Sequence, residues 1–163
     1  MLYRKAYDRL LTWKGQPKRK ALCVMGARQI GKTTLIRQFG KEQYSCFVEI
    51  NFITDTDATK IFAGNLDANT IITNLTAYTR KPMIPGNTLV LLDEIQACPN
   101  ARTAIKFLVE DGRFDYIESG SLLGVRHKEV RSYPVGFEEL YQMYPMDLEE
   151  YLWANGVQKS TIQ

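Results

Sequence analysis

The sequence has few of the residues that build disulfide frameworks and metal centres. Its 163 residues include three cysteines and one histidine, namely Cys23, Cys46, Cys98 and His127. An odd number of cysteines without paired spacing fits neither a disulfide framework nor a zinc site, and it suits a reducing compartment. His127 stands alone among charged residues, so we interpret it as a surface residue rather than a ligand.

Long apolar runs are also absent. No stretch approaches the roughly 20 apolar residues that a membrane-spanning helix needs. The N-terminus begins Met1-Leu2-Tyr3-Arg4-Lys5 and lacks the apolar core of a signal peptide. We therefore expect a cytoplasmic protein with no membrane partner.

A large excess of charge of either sign is missing as well. The 21 Lys and Arg residues nearly balance the 18 Asp and Glu residues, which leaves a net charge of +3. This charge is too small to indicate a nucleic-acid partner by itself, and the sequence contains no nucleic-acid recognition motif. The hydrophobic content of 45% is ordinary for a globular protein, and the length fits one domain over residues 1–163.

What the sequence does contain is a phosphate-loop pattern. The stretch VMGARQIGKTT places Gly26 four residues before Gly31-Lys32-Thr33. Glycines let the backbone close around phosphates, and the helix that follows points its positive end at them. In this pattern the lysine contacts the β- and γ-phosphates and the threonine hydroxyl binds Mg²⁺. The predicted nucleotide-binding residues are Gly26, Ala27, Arg28, Gln29, Ile30, Gly31, Lys32, Thr33 and Thr34.

The context of this pattern is a strand-to-helix turn, which its mechanism requires. A short apolar run precedes it, and apolar residues at helical spacing follow it up to a glycine, Gly40. Elsewhere, Asp67 is predicted to cap a helix, Pro99 to begin one and Gly112 to end it. The predicted strands cover 21–25, 46–52, 88–92, 114–121 and 137–146, and the predicted helices cover 3–13, 34–40, 68–78, 99–111, 122–129 and 147–153, with one or two helical turns in 53–65.

A second chemical landmark is the pair Asp93-Glu94, which follows the apolar run TLVLL. Ligands of open α/β sheets bind outside the carboxyl ends of the strands, so both acids are well placed to meet a nucleotide. We predict that Asp93 holds Mg²⁺, directly or through water, and that Glu94 polarises the water that attacks the γ-phosphate.

The roles of several other polar residues remain open on sequence grounds. Ser119 or Ser121 is predicted to face the attacking water as a sensor, with a slight preference for Ser119, although both also suit a turn. Arg126 and Arg131 are candidates for an arginine finger toward a neighbouring subunit, but exposed arginines are common.

Together these motifs resemble a family. GARQIGKTT, TLVLLDEIQ, ESGS and SYPVGFEELYQMYPMDLEEYL are similar to the N-terminal ATPase domain of a large prokaryotic AAA-type ATPase family. The resemblance extends from Tyr3 to Leu152 and includes Gln29 and Gln96, which the general phosphate-loop and Walker-B patterns do not specify.

The resemblance implies a fold, a ligand and a set of roles. The fold is a three-layer α/β/α P-loop NTPase with a parallel five-stranded sheet in the order 5-1-4-3-2. The ligands are ATP and Mg²⁺, with Lys32 and Thr33 on the phosphates and the metal, Asp93 as the Walker-B acid and Glu94 as the catalytic base. Family members continue into a helical lid and a C-terminal domain, so we expect residues 1–163 to be the ATPase core without either.

The leading functional hypothesis is a domain that binds and hydrolyses ATP and couples the nucleotide state to a conformational change in a partner or a further domain. The first alternative is a nucleotide-binding interaction module with negligible hydrolysis. A P-loop kinase is a weaker alternative, because the sequence shows no arginine-rich lid and the Asp-Glu pair favours hydrolysis. Self-association and a protein partner are both compatible with these hypotheses.

Overall fold

The computed structural model describes residues 5–26, 31–121 and 136–143. In this part of the chain, five strands alternate with four α-helices and two short 3-10 helices. The elements in chain order are α1 Lys5–Lys14, β1 Ala21–Met25, α2 Lys32–Gln43, β2 Cys46–Asn51, a 3-10 helix Thr56–Phe62, α3 Ala68–Thr79, β3 Thr88–Asp93, a 3-10 helix Ile95–Ala97, α4 Pro99–Asp111, β4 Asp115–Gly120 and β5 Glu138–Gln142.

The five strands form one parallel sheet in the order β2-β3-β4-β1-β5. This is the predicted order 5-1-4-3-2 counted from the other edge, so the predicted fold class is confirmed. The strands β1 and β3 are buried along their whole length. Continuous apolar runs such as ALCVM and TLVLL are typical of parallel strands that are covered on both faces.

Helices cover both faces of the sheet and create two hydrophobic cores. One core lies between the sheet and α1 with α2, and it contains Trp13, Phe39 and Ile117. The other lies between the sheet and α3 with α4, and it contains Ile71 and Ile105. Alternate residues of each strand enter opposite cores because successive side chains of a strand point to opposite faces. The result is the predicted three-layer arrangement.

The ends of two helices follow the predicted capping chemistry. The side chain of Asp67 accepts a hydrogen bond from the Thr70 amide at 3.0 Å and caps α3. Pro99 occupies the first turn of α4, where its missing amide hydrogen costs nothing. Gly112 ends α4 with a φ of 76°, a left-handed conformation that favours glycine.

One predicted helix end is wrong. Gly40 does not end α2, because the helix continues to Gln43 and the Tyr44 amide closes it on the Gly40 carbonyl. The reason is tertiary packing, since Gly40 faces the Phe47 ring of β2 so closely that a Cβ would lie 2.2 Å from a ring carbon. The helix also begins at Lys32, two residues before the predicted start.

Other differences concern helix faces and element lengths. Leu11 and Tyr78 lie on faces predicted to be apolar, yet each is about two-fifths exposed. Within the described residues, β5 is shorter than the predicted strand 137–146, and its Leu140 is exposed. The predicted elements over 122–129 and 147–153 lie outside the described residues, as do Arg126, His127 and Arg131. Among the helices of the described ranges, none has the length and apolar character needed to cross a membrane.

Candidate nucleotide-binding site

Those predicted site residues that the structure describes meet at the carboxyl edge of the sheet. Strand register places Met25 beside Gly120 and Asp93 beside Ser119, so the ends of β1, β3 and β4 lie next to one another. Both sequence motifs therefore reach the edge where ligands of parallel sheets bind. The phosphate-loop residues described here are Gly26, Gly31, Lys32, Thr33 and Thr34, whereas Ala27, Arg28, Gln29 and Ile30 lie outside the described residues.

A backbone hydrogen bond fixes the start of the phosphate loop. The Gly26 amide donates to the Gly120 carbonyl at 3.3 Å, which ties the start of the loop to β4. At the other end, Gly31 has a φ of 89° and precedes α2 directly. The Lys32 ammonium donates to the Gly26 carbonyl at 3.0 Å, and its side chain is buried. A buried cation therefore lies at the opening of the loop, beside the amino end of a helix, where anions are favoured.

The two predicted magnesium residues contact each other directly. The Thr33 hydroxyl donates to Asp93 Oδ2 at 2.9 Å, although 60 positions separate the two residues. Ser119 Oγ and the Glu94 amide donate to Asp93 Oδ1 at 2.5 Å and 3.0 Å. Asn51 Nδ2 approaches Oδ2 at 3.4 Å. A carboxylate and a hydroxyl offer the hard oxygen ligands that Mg²⁺ prefers, so the donor set fits this ion.

Glu94 stands in an unusual backbone conformation. Its φ of 57° and ψ of 50° are left-handed, and it caps the 3-10 helix Ile95–Ala97. Non-glycine residues rarely adopt this conformation, and such positions cluster at functional sites. The side chain of Glu94 is half-buried. One of its carboxylate oxygens accepts a hydrogen bond from Gln96 Nε2 at 2.5 Å.

The structure distinguishes the two serines that the sequence left open. Ser119 is fully buried in β4, and its hydroxyl donates to Asp93. Ser121 follows the end of the strand. In the described part of the chain, the serine whose hydroxyl contacts Asp93 is thus Ser119. Whether that hydroxyl senses the attacking water stays a prediction.

Sequence reasoning missed two polar residues of this edge. Asn51 ends β2 beside Asp93 in the register, and its position near the end of the predicted strand 46–52 was the available signal. Gln96 was quoted only as part of the family resemblance, yet its side chain contacts Glu94. Neither contact follows from spacing, because each depends on how neighbouring strands and turns pack.

A separate cavity of about 520 Å³ lies at the opposite edge of the sheet. It is bordered by the amino ends of β1, β4 and β5 and by the end of α4, with Lys18, Lys20, Arg113 and Tyr116 in its lining. Ligands of parallel sheets bind at the carboxyl edge, so this cavity does not belong to the phosphate-loop site.

Comparisons with known proteins agree with this geometry. The family model described as AAA domain matches residues 18–152. The solved structure of the Orc1 protein of Aeropyrum pernix in complex with DNA is similar, with 16% identity and a TM-score of 0.53, over 94% of this chain and 48% of that one. PCH-2 of C. elegans is similar with 15% identity and a TM-score of 0.53, over 99% of this chain and 49% of that one.

At these identities the two likenesses carry the fold alone. The chain spans about half the length of each of the two solved chains. A comparison with curated proteins gave no match.

Proposed function

Since the chain belongs to the AAA domain family, we propose that it binds ATP with Mg²⁺ at the carboxyl edge of its sheet and hydrolyses it to ADP and phosphate. The observation that carries the proposal is the 2.9 Å contact between Thr33 and Asp93. It joins the two motifs that an ATPase needs, one for the phosphates and one for the metal.

We treat residues 1–163 as the core ATPase domain and, because all three cysteines are free thiols, place it in the cytoplasm.

Each residue of the site has a distinct part in this reaction. The loop from Gly26 to Thr34 holds the phosphates, and Lys32 offsets the negative charge that develops on them. Thr33 and Asp93 hold Mg²⁺, which supplies further charge neutralisation when bound. Glu94 accepts a hydrogen bond from the attacking water and orients it toward the γ-phosphate.

We further propose that nucleotide turnover drives a conformational change in a protein partner, a second copy of the chain or a further domain. The contacts of the site support this idea. Asp93 and Ser119 join β3 to β4, and Gly120 joins β4 to the phosphate loop. Glu94 leads through a short turn into α4. A change at the γ-phosphate therefore acts on the ends of three strands and a helix.

The first test measures phosphate release at saturating Mg²⁺-ATP for the wild type and Glu94→Gln. Loss of a positioned general base lowers turnover by about 100-fold or more, and nucleotide affinity is retained. Glu110→Gln is the control, because this exposed glutamate lies on α4 away from the site. Binding without Glu94-dependent release would identify a nucleotide-binding module instead, and transfer of phosphate to an added acceptor would identify a kinase.

The second test concerns the site itself. We expect Lys32→Ala to weaken ATP binding by about 10-fold to 100-fold, the size of a lost charge-assisted hydrogen bond. Titration calorimetry measures the affinity. Lys41→Ala, an exposed lysine near the end of the same helix, leaves it unchanged. Equal affinity of wild type and Lys32→Ala would refute the assignment of the phosphate loop.

A further inference from the structure

The side chain of Gln96 lies between the proposed catalytic base and the end of β4. Its amide nitrogen donates to Glu94 Oε2 at 2.5 Å. The bond has a fixed direction, because the nitrogen of a side-chain amide only donates hydrogen bonds. The amide oxygen of Gln96 must therefore point away from Glu94.

That amide oxygen lies against Gly120. A Cβ built on Gly120 would lie 2.5 Å from Gln96 Oε1, so the space that Gln96 occupies exists because residue 120 has no side chain. Among the described residues, Oε1 is buried and has no hydrogen-bond partner. A buried acceptor without a partner costs about 1–3 kcal/mol, and a group in this state needs an explanation. Packing alone would be served as well by an apolar side chain.

The contact of Gln96 with Gly120 connects three parts of the site. Gly120 accepts the amide hydrogen of Gly26 and directly follows Ser119, whose hydroxyl donates to Asp93. Gln96 thus extends from the Glu94 carboxylate to the strand end that anchors the phosphate loop. The base itself stands on a left-handed backbone, and its half-buried carboxylate accepts the hydrogen bond from Gln96.

We propose that Gln96 is a positioning residue for hydrolysis. It donates a hydrogen bond to Oε2 of Glu94 and thereby leaves Oε1 of Glu94 to accept a hydrogen bond from the attacking water. Gly120, which has no side chain, leaves the space in which the Gln96 amide is held. Gln96 acts through Glu94 and contacts no reacting atom. This inference rests on the proposed ATPase function and adds a determinant of its rate.

The test compares two replacements that keep the size of the side chain. Gln96→Met removes the hydrogen bond, and Gln96→Glu replaces the donor by a second carboxylate that repels Glu94. Because a displacement of about 1 Å costs up to about 100-fold in rate, we expect both variants to lower kcat by about 10-fold to 100-fold. The affinity for ATP, measured by calorimetry, stays within about twofold, since Gln96 does not contact the phosphates.

Two further variants separate positioning from packing. In the Glu94→Gln background, Gln96→Met has no additional effect on kcat, because the group through which it acts is already lost. The control is Gln38→Met, which removes a hydrogen bond of the same kind between Gln38 and Glu42 on the surface of α2. It leaves kcat unchanged.

The outcomes distinguish this inference from the function on which it rests. Wild-type hydrolysis that does not depend on Glu94 overturns the proposed function, and the role of Gln96 falls with it. Glu94-dependent hydrolysis with an unchanged kcat in Gln96→Met overturns the positioning role alone. The same holds if Gln96→Met changes ATP affinity and leaves kcat intact, or if it lowers kcat equally in the Glu94→Gln background.

Discussion

At the scale of single residues, the site depends on how many groups converge on the Asp93 carboxylate. Thr33, Ser119, Asn51 and the Glu94 amide all donate to its two oxygens. Asp93 is nearly fully buried, and burial of a carboxylate is tolerated only when hydrogen bonds replace its water. Three of these donors come from other elements, namely α2, β4 and β2, so the acid is held from several sides.

The contact between Ser119 and Asp93 gives a prediction at this scale. Ser119→Ala removes a buried hydroxyl donor to a charged group, so we expect the free energy of unfolding to fall by about 1.5–3 kcal/mol. Phosphate release falls as well, because Asp93 loses a fixed orientation. Urea denaturation and a turnover assay measure the two effects. Ser121→Ala is the matched control, and a larger loss in that variant would contradict the assignment.

At the scale of elements, α2 lies unusually close to β2. Gly40 is inside the helix, and a Cβ there would lie 2.2 Å from a ring carbon of Phe47. The close approach holds the end of α2 against the beginning of β2, whereas Thr33 at the other end of the helix contacts Asp93 at the carboxyl edge of the sheet. It also explains why a glycine occurs in a helix interior, where it costs about 1 kcal/mol relative to alanine.

We therefore predict that Gly40→Ala destabilises the protein by about 1 kcal/mol. The gain in helix propensity is about 1 kcal/mol, and overpacking costs about 1–3 kcal/mol. Thermal denaturation measures the change. Gly64→Ala is the control, because a Cβ there meets no atom within 4 Å, and the expected change is within about 0.5 kcal/mol. A stabilised Gly40→Ala variant would show that the Phe47 ring moves away freely.

At the scale of the whole molecule, a buried polar cluster joins three strands and a helix under the sheet. Cys23 of β1 lies opposite Glu118 of β4 in the strand register, and Glu138 of β5 lies close to both. The Cys23 sulfur and one carboxylate oxygen of each glutamate lie within 4.8 Å of one another. Arg102 of α4 donates to both carboxylate oxygens of Glu138, at 2.8 Å and 3.2 Å. Burial and then the Glu138 carboxylate raise the pKa of Glu118 well above its usual range.

This raised pKa predicts how stability depends on pH. Above the unfolded-state pKa of about 4.3, the folded protein holds a proton on Glu118 that the unfolded chain releases. Stability therefore falls as pH rises toward the folded-state pKa, by up to about 1.4 kcal/mol per pH unit. A glutamine does not titrate, so the Glu118→Gln variant does not lose stability in this way. The free energy of unfolding of the variant, compared with that of wild type, therefore increases as pH rises from about 4.3 toward the folded-state pKa.

Urea denaturation of both proteins at a series of pH values measures this difference. Glu110→Gln, a change at an exposed position, gives a pH profile parallel to wild type. A constant difference between Glu118→Gln and wild type at all pH values would mean that Glu118 is ionised in the folded state.

The local features of this protein could be predicted from its amino-acid sequence. Apolar runs located the strands because parallel strands are buried on both faces, and Asp67, Pro99 and Gly112 marked helix ends because capping involves residues within one turn. The Gly26–Thr34 pattern and the pair Asp93-Glu94 identified the motifs, since each is continuous in the chain. The family resemblance added the strand order.

The contacts between residues that are distant in the chain became known from the folded structure. Gln96 against Gly120 and Gly40 against Phe47 depend on how a turn or a helix packs on the sheet, so spacing in the sequence carries no signal for them. The burial of Glu118 beside Glu138 was equally invisible, because a glutamate in a strand is ordinarily expected to face solvent. Local chemistry thus predicted the motifs, whereas packing between separate elements fixed the contacts through which they act.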